Sequence, residues 1–224
     1  MRKPLLFAAV LLTITAVSGR AQASGHIYLL RGLAGIFSTG LDVLDEKLVQ
    51  RGYNATVHPH DFYNSLAEEA ARLQKSGKGP IIIMGHSLGA DAAIYMAEKM
   101  KTLGAPVALV VTFGPTTNLV APSNVHQVIN YYTGNTLVSK GPGFRGSISN
   151  INLNSAPDTN HMNIEKSNRL HASVISKRSL GDKGARALRR RYNNSMPVVG
   201  LRRLARHGPN DRDLRGIARG GPEL

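Results

Sequence analysis

The residues best suited to chemistry form one short uncharged run, Ile81-Ile82-Ile83-Met84-Gly85-His86-Ser87-Leu88-Gly89-Ala90, entered through Pro80. Its first four residues are apolar and read as a strand buried on both faces. A helical pattern begins at Leu88 and runs to residue 101. Between strand and helix stands Gly-x-Ser-x-Gly. A turn this sharp holds the serine in a strained conformation with its hydroxyl exposed. Glycine at 85 and 89 keeps side chains out of places where backbone segments approach closely. A helix starting directly behind Ser87 aims its free N–H groups at any anion forming there. A serine so placed can attack a carbonyl carbon, provided that a neighbouring base takes its proton.

Eight histidines are available as that base. Ligands of open parallel sheets gather at the carboxyl ends of the strands. His126 opens a strand and falls at the wrong end. His171 sits in the closing helix, His207 in the terminal segment, and His26 ahead of the first strand. His86 occupies the variable slot of the turn itself. His58 and His60 have period two, with Asp61 beside them, and two such histidines could share a metal. No further ligand is spaced to complete that site, so they read as exposed loop residues. His161 alone follows the last strand directly.

Gly85-His86-Ser87-Leu88-Gly89, after a buried strand and before a helix, resembles the nucleophile elbow of the α/β-hydrolase family, in its lipase and esterase branch. Over residues 24–176 the resemblance implies an α/β fold: a small doubly wound, mostly parallel sheet without a lid domain. It implies a serine hydrolase acting on carboxylic esters or thioesters with no metal or organic cofactor. In the family the chain order is nucleophile, acid, histidine, which again selects His161; His161-Met162-Asn163-Ile164 is similar to the histidine loop of bacterial lipase-like enzymes. The oxyanion-hole donors carry over as the N–H groups of Leu88, next after the nucleophile, and of Leu33, in the loop Arg31-Gly32-Leu33-Ala34-Gly35, although Arg31 replaces the usual histidine.

The acid departs from the pattern. One family position, just after the strand following the elbow helix, reads Phe113-Gly114-Pro115, with Gly114 where an aspartate is expected. The other offers Asn135. Asp158 is the nearest carboxylate by sequence to His161, in the turn former Ala156-Pro157-Asp158. Asp91 lies one helical turn past Ser87 and projects away from His161. The expected catalytic set is therefore Ser87, His161 and Asp158. Gly114 also supports an alternative: a catalytically impaired hydrolase-fold binding module whose basic tail docks on anionic surfaces.

The elements that position these residues alternate. Strands are expected at 27–30, 53–58, 81–84, 106–113, 125–132 and 147–154. Helices are expected at 37–51, 61–75, 88–101 and 163–176. This alternation calls for parallel pairing. Residues 133–146, rich in Gly, Ser and Asn, read as a loose segment.

With 224 residues, one domain plus extensions is the natural organisation. The absence of cysteine excludes disulfides and thiolate metal sites. The formal charge of +14 is uneven: residues 177–224 hold 13 Lys/Arg against 4 Asp/Glu, and residues 1–176 hold 15 against 10. The former read as a basic, disordered tail suited to anionic surfaces rather than to a specific nucleic acid. Residues 1–23 carry Arg2 and Lys3, a short apolar run and Ala21-Gln22-Ala23, which together read as a signal peptide. Export to a periplasm or the medium is the expectation, and there a monomer would meet a small acyl-ester or lipid substrate.

Overall fold

The computed structural model describes residues 25–33 and 38–176. The expectations for residues 1–23 and 177–224 lie outside the described residues. Six strands form one sheet: β1 (His26–Arg31), β2 (Asn54–Pro59), β3 (Ile81–His86), β4 (Leu109–Phe113), β6 (Gln127–Tyr132) and β8 (Ser147–Asn152). Their order is β2-β1-β3-β4-β6-β8, and every neighbouring pair is parallel. The expected α/β class, its strand sequence and its parallel pairing are all present.

Three helices connect strands, α1 (Gly40–Val49), α2 (Tyr63–Lys75) and α3 (Leu88–Thr102), and a fourth, α4 (168–176), follows the last strand. They divide between the two faces. On one face, Leu41, Leu44 and Leu48 of α1 pack with Leu170 and Val174 of α4 over Ile27, Leu29, Ile82, Met84 and Phe113. On the other, Leu66 and Ala70 of α2 and Ala93, Met96 and Ala97 of α3 cover Tyr28, Leu30, Ile81, Ile83 and Val110. Alternate residues of each central strand feed opposite cores, so an unbroken apolar run such as Ile81-Ile82-Ile83-Met84 is what a central parallel strand needs. The alanines of α3 let that helix lie close to the sheet.

Two short strands were not expected. β5 (Leu119–Ala121) pairs in parallel with β7 (Val138–Lys140), so the segment 133–146 is partly ordered as strand. Polar side chains hold it: Asn150 Oδ1 accepts from Val138 N at 3.0 Å, and Asn150 Nδ2 donates to Val138 O at 3.0 Å. Patterning of three-residue strands is too short to read, and the asparagine that fastens β7 comes from another strand, β8.

β1 and β3 are neighbours whose onward connections leave in opposite directions, toward β2 and toward β4. Beyond the carboxyl ends of such a pair lies the crevice in which open α/β sheets bind their ligands.

Candidate active site

Ser87 sits in that crevice, between β3 and α3, with φ 56° and ψ −125°. A non-glycine residue at positive φ is strained, and it persists only because its surroundings over-determine it. Two close approaches do so here. A Cβ on Gly85 would lie 1.9 Å from Gly89 O, and a Cβ on Gly89 would lie 2.0 Å from Leu30 O. Both glycines are therefore required by contact with backbone, as the motif implies. Leu88 is the first residue of α3, so its N–H has no acceptor within the helix.

The chain after β8 returns to the same end of the sheet. His161 Nε2 lies 3.0 Å from Ser87 Oγ. This is hydrogen-bond distance for a nucleophile and its base, bridged across 74 residues of sequence. Gly32, which follows β1, lies against the elbow: a Cβ there would be 3.1 Å from Ser87 Cβ and 3.1 Å from His86 O. Leu33 comes next and is 67% exposed. Arg31, where the family has histidine, pairs with Asp42 of α1.

Asp158 is not brought to His161. Its side chain is exposed at the turn, its φ is 54°, and its main-chain oxygen accepts from Asn163 Nδ2 at 3.0 Å. No hydrogen bond or ion pair joins its carboxylate to the imidazole among the described residues. The left-handed backbone accounts for an aspartate there, since Asn and Asp tolerate this conformation. Gly114 does face the imidazole: a Cβ added to it would lie 3.0 Å from His161 Nδ1. The position at which the sequence resemblance leads one to expect an acid thus lies against the imidazole and holds a glycine at φ 57°. Asp91 points elsewhere. It is buried, accepts from Thr116 N at 3.0 Å and from the Thr116 hydroxyl, and so ties the loop after β4 to α3.

Three residues that sequence reasoning passed over stand behind the site. His86 is 2% exposed; its Nδ1 is 2.9 Å from Ser38 Oγ and its Nε2 2.8 Å from the main-chain oxygen of His161. Ser38 Oγ also accepts from Gly32 N at 3.0 Å. Glu165, with 0% exposure, places Oε2 3.5 Å from His86 Nε2. Burial pushes the Glu165 carboxyl up to about 7, against the opposing pull of nearby N–H groups and Lys166. Burial likewise lowers the affinity of His86 for a proton. One clue to His86 was available in the sequence. It shares a strand face with Ile82 and Met84 in a buried run, and a polar side chain there must find partners inside. Glu165 offered none, because a single glutamate at the start of a helix ordinarily faces solvent.

His58 is hydrogen-bonded to Thr56, and no group of three or more His, Asp or Glu side chains among the described residues is arranged to hold a metal ion. Neither a family model nor a curated protein matches this chain. Solved structures similar to it include a protein provisionally described as a hydrolase of the alpha/beta superfamily from Xanthomonas campestris pv. campestris (15% identity, 68% of this chain and 99% of that one, TM-score 0.38). Another is the RedJ thioesterase of the prodiginine pathway of Streptomyces coelicolor (14% identity, 70% and 91%, TM-score 0.41). A third is the NocB thioesterase domain of the nocardicin cluster (11% identity, 70% and 93%, TM-score 0.39). At these scores and identities the likenesses bear on no residue's role.

Proposed function

We propose that the protein is a serine hydrolase that cleaves carboxylic esters or thioesters through a covalent acyl-enzyme. The observation that carries this reading is the 3.0 Å approach of His161 Nε2 to a strained Ser87 Oγ at the carboxyl edge of the sheet. In the first step His161 takes the hydroxyl proton as Ser87 Oγ bonds to the substrate carbonyl carbon. The oxygen of that carbonyl gains the negative charge and faces the N–H groups of Leu88 and Leu33, each such donor being worth about 10²–10³ in rate. Collapse expels the alcohol or thiol, which leaves with the proton from His161. Water then repeats the sequence on the acyl-enzyme, with His161 again as base. Leu33 and Met162, 67% and 49% exposed, flank the site in sequence and favour a substrate with an apolar arm. We also propose export through residues 1–23 and contact with anionic surfaces through residues 177–224, on the sequence alone.

Turnover of p-nitrophenyl acetate by Ser87→Ala tests the assignment. Loss to background supports it, and wild-type turnover ends it. A second reading, the impaired binding module, is favoured by the glycine at 114 and by an imidazole Nδ1 without a carboxylate. It has a distinct outcome: a folded wild-type protein that neither turns over esters nor reacts with a fluorophosphonate.

A further inference from the structure

The Nδ1 atom of His161, on which an orienting acid would act, has no hydrogen-bond partner among the described residues, and Gly114 lies against it. The imidazole nevertheless stands at bonding distance from Ser87. Its orientation must come from elsewhere. The segment carrying it is held by its main chain at both ends: His86 Nε2 is 2.8 Å from the oxygen of residue 161, and His171 Nε2 is 2.6 Å from the oxygen of residue 165.

We propose that His86, backed by Ser38 and the carboxyl of Glu165, is the positioning residue for His161, holding the base through its main-chain carbonyl in place of an acid on its ring. This rests on the Ser87–His161 reading above.

The partners assign the direction of every bond. His86 Nε2 is bonded to the oxygen of residue 161, which can only accept, and the Glu165 carboxyl lies farther off. Nε2 therefore carries the proton and donates it to the carbonyl. Nδ1 is then an acceptor and takes the Ser38 hydroxyl proton. Ser38 Oγ in turn accepts the N–H of Gly32. The result is one directed chain, Gly32 to Ser38 to His86 to His161, running from the oxyanion loop through the elbow to the base. In its ionised form Glu165, with Oε2 3.5 Å from Nε2, favours the proton there. Its own carbonyl packs so closely against the start of α1 that a Cβ on Gly40 would lie 2.4 Å from it. Three loops that must stay in register for acyl transfer thus meet at one buried imidazole. A base misplaced by an ångström forfeits rate without loosening substrate binding, so the signature of this role is in kcat.

The test uses the full chain and p-nitrophenyl acetate, with kcat expressed per site titrated by a fluorophosphonate and Tm recorded in parallel. His86→Leu removes both bonds. His86→Gln returns an amide N–H at about the reach of Nε2. The proposal expects H86L to lower kcat about 10- to 100-fold with KM held within about twofold, and H86Q to recover most of that loss. A merely structural His86 would lower Tm and leave kcat per titrated site at the wild-type value, and that result overturns the proposal. So does an H86Q as slow as H86L. If H86L does not fold, Ser38→Ala and Glu165→Gln decide: a lower kcat at unchanged KM in either supports the proposal, and wild-type kcat in both overturns it. Ser87→Ala in the same series separates the two levels. An active S87A ends the serine mechanism and this inference together. An inactive S87A beside an unaffected His86 series removes the inference alone.

Discussion

At the scale of single residues, the proposed site pairs Ser87 Oγ with His161 Nε2 at 3.0 Å, and no carboxylate is bonded to that imidazole among the described residues. Two substitutions follow from that geometry. Installing an aspartate at Gly114 is the repair that the sequence resemblance suggests. The backbone refuses it: φ is 57°, and the new Cβ would stand 3.0 Å from His161 Nδ1, already too close before a carboxylate is added. Gly114→Asp should therefore lower kcat by about tenfold or more by displacing the imidazole, rather than raise it. Asp158→Asn should leave kcat within about twofold, because the exposed carboxylate touches nothing in the site and asparagine tolerates the same backbone. Steady-state kinetics of the two variants checks both, and a strong loss in Asp158→Asn would return that residue to the catalytic set. Ser87 and Leu88 were legible because the elbow is local, five residues with a mechanical reason for each glycine. His161 was legible by its order in the chain. His86 and Glu165 were not, since their roles arise only when β3, α1 and the segment after β8 converge.

At the scale of elements, the elbow is held by contact between backbones. Gly89→Ala would place a methyl group 2.0 Å from Leu30 O, with no flexible side chain to yield. It should destabilise the fold by at least the ~1–3 kcal/mol typical of overpacking and abolish turnover, which urea unfolding and an ester assay would register. The six sheet strands and their parallel pairing were readable because central parallel strands are written as unbroken apolar runs between glycine-marked helix ends. β5 and β7 were not, since Asn150 and Asn118 supply what their own three-residue patterns lack. The buried carboxyl of Glu165 gives the segment after β8 a pH dependence. Its folded affinity for a proton, at about 7, exceeds the ordinary carboxyl value of 4.5. The folded state thus holds more protons than the unfolded one between those values, and stability falls as pH rises through that window. Glu165→Gln removes this loss. Relative to wild type, the variant should gain stability from about pH 5 to about pH 8, by on the order of 3 kcal/mol at most. Chemical denaturation at the two pH values measures it; a difference that does not change with pH, or changes the other way, contradicts an uncompensated buried carboxyl.

At the scale of the whole molecule, charge is uneven along the chain. Residues 177–224 hold 13 Lys/Arg against 4 Asp/Glu, and residues 1–176 hold 15 against 10. A chain ending at residue 176 should hydrolyse small neutral esters as well as the full protein, yet pellet less with anionic vesicles. The full chain's binding should weaken steeply with salt, as exposed charges are screened beyond about 8 Å at physiological ionic strength. Equal sedimentation of both chains would leave the basic segment without this role. The proposed mechanism has one activated serine, served by one histidine. Fluorophosphonate labelling of the intact protein, followed by peptide mapping, checks this. A single modified residue is expected, Ser87, with labelling lost in Ser87→Ala and reduced to background in His161→Ala. Modification of any other serine, or unchanged labelling of Ser87 in His161→Ala, would overturn the serine mechanism.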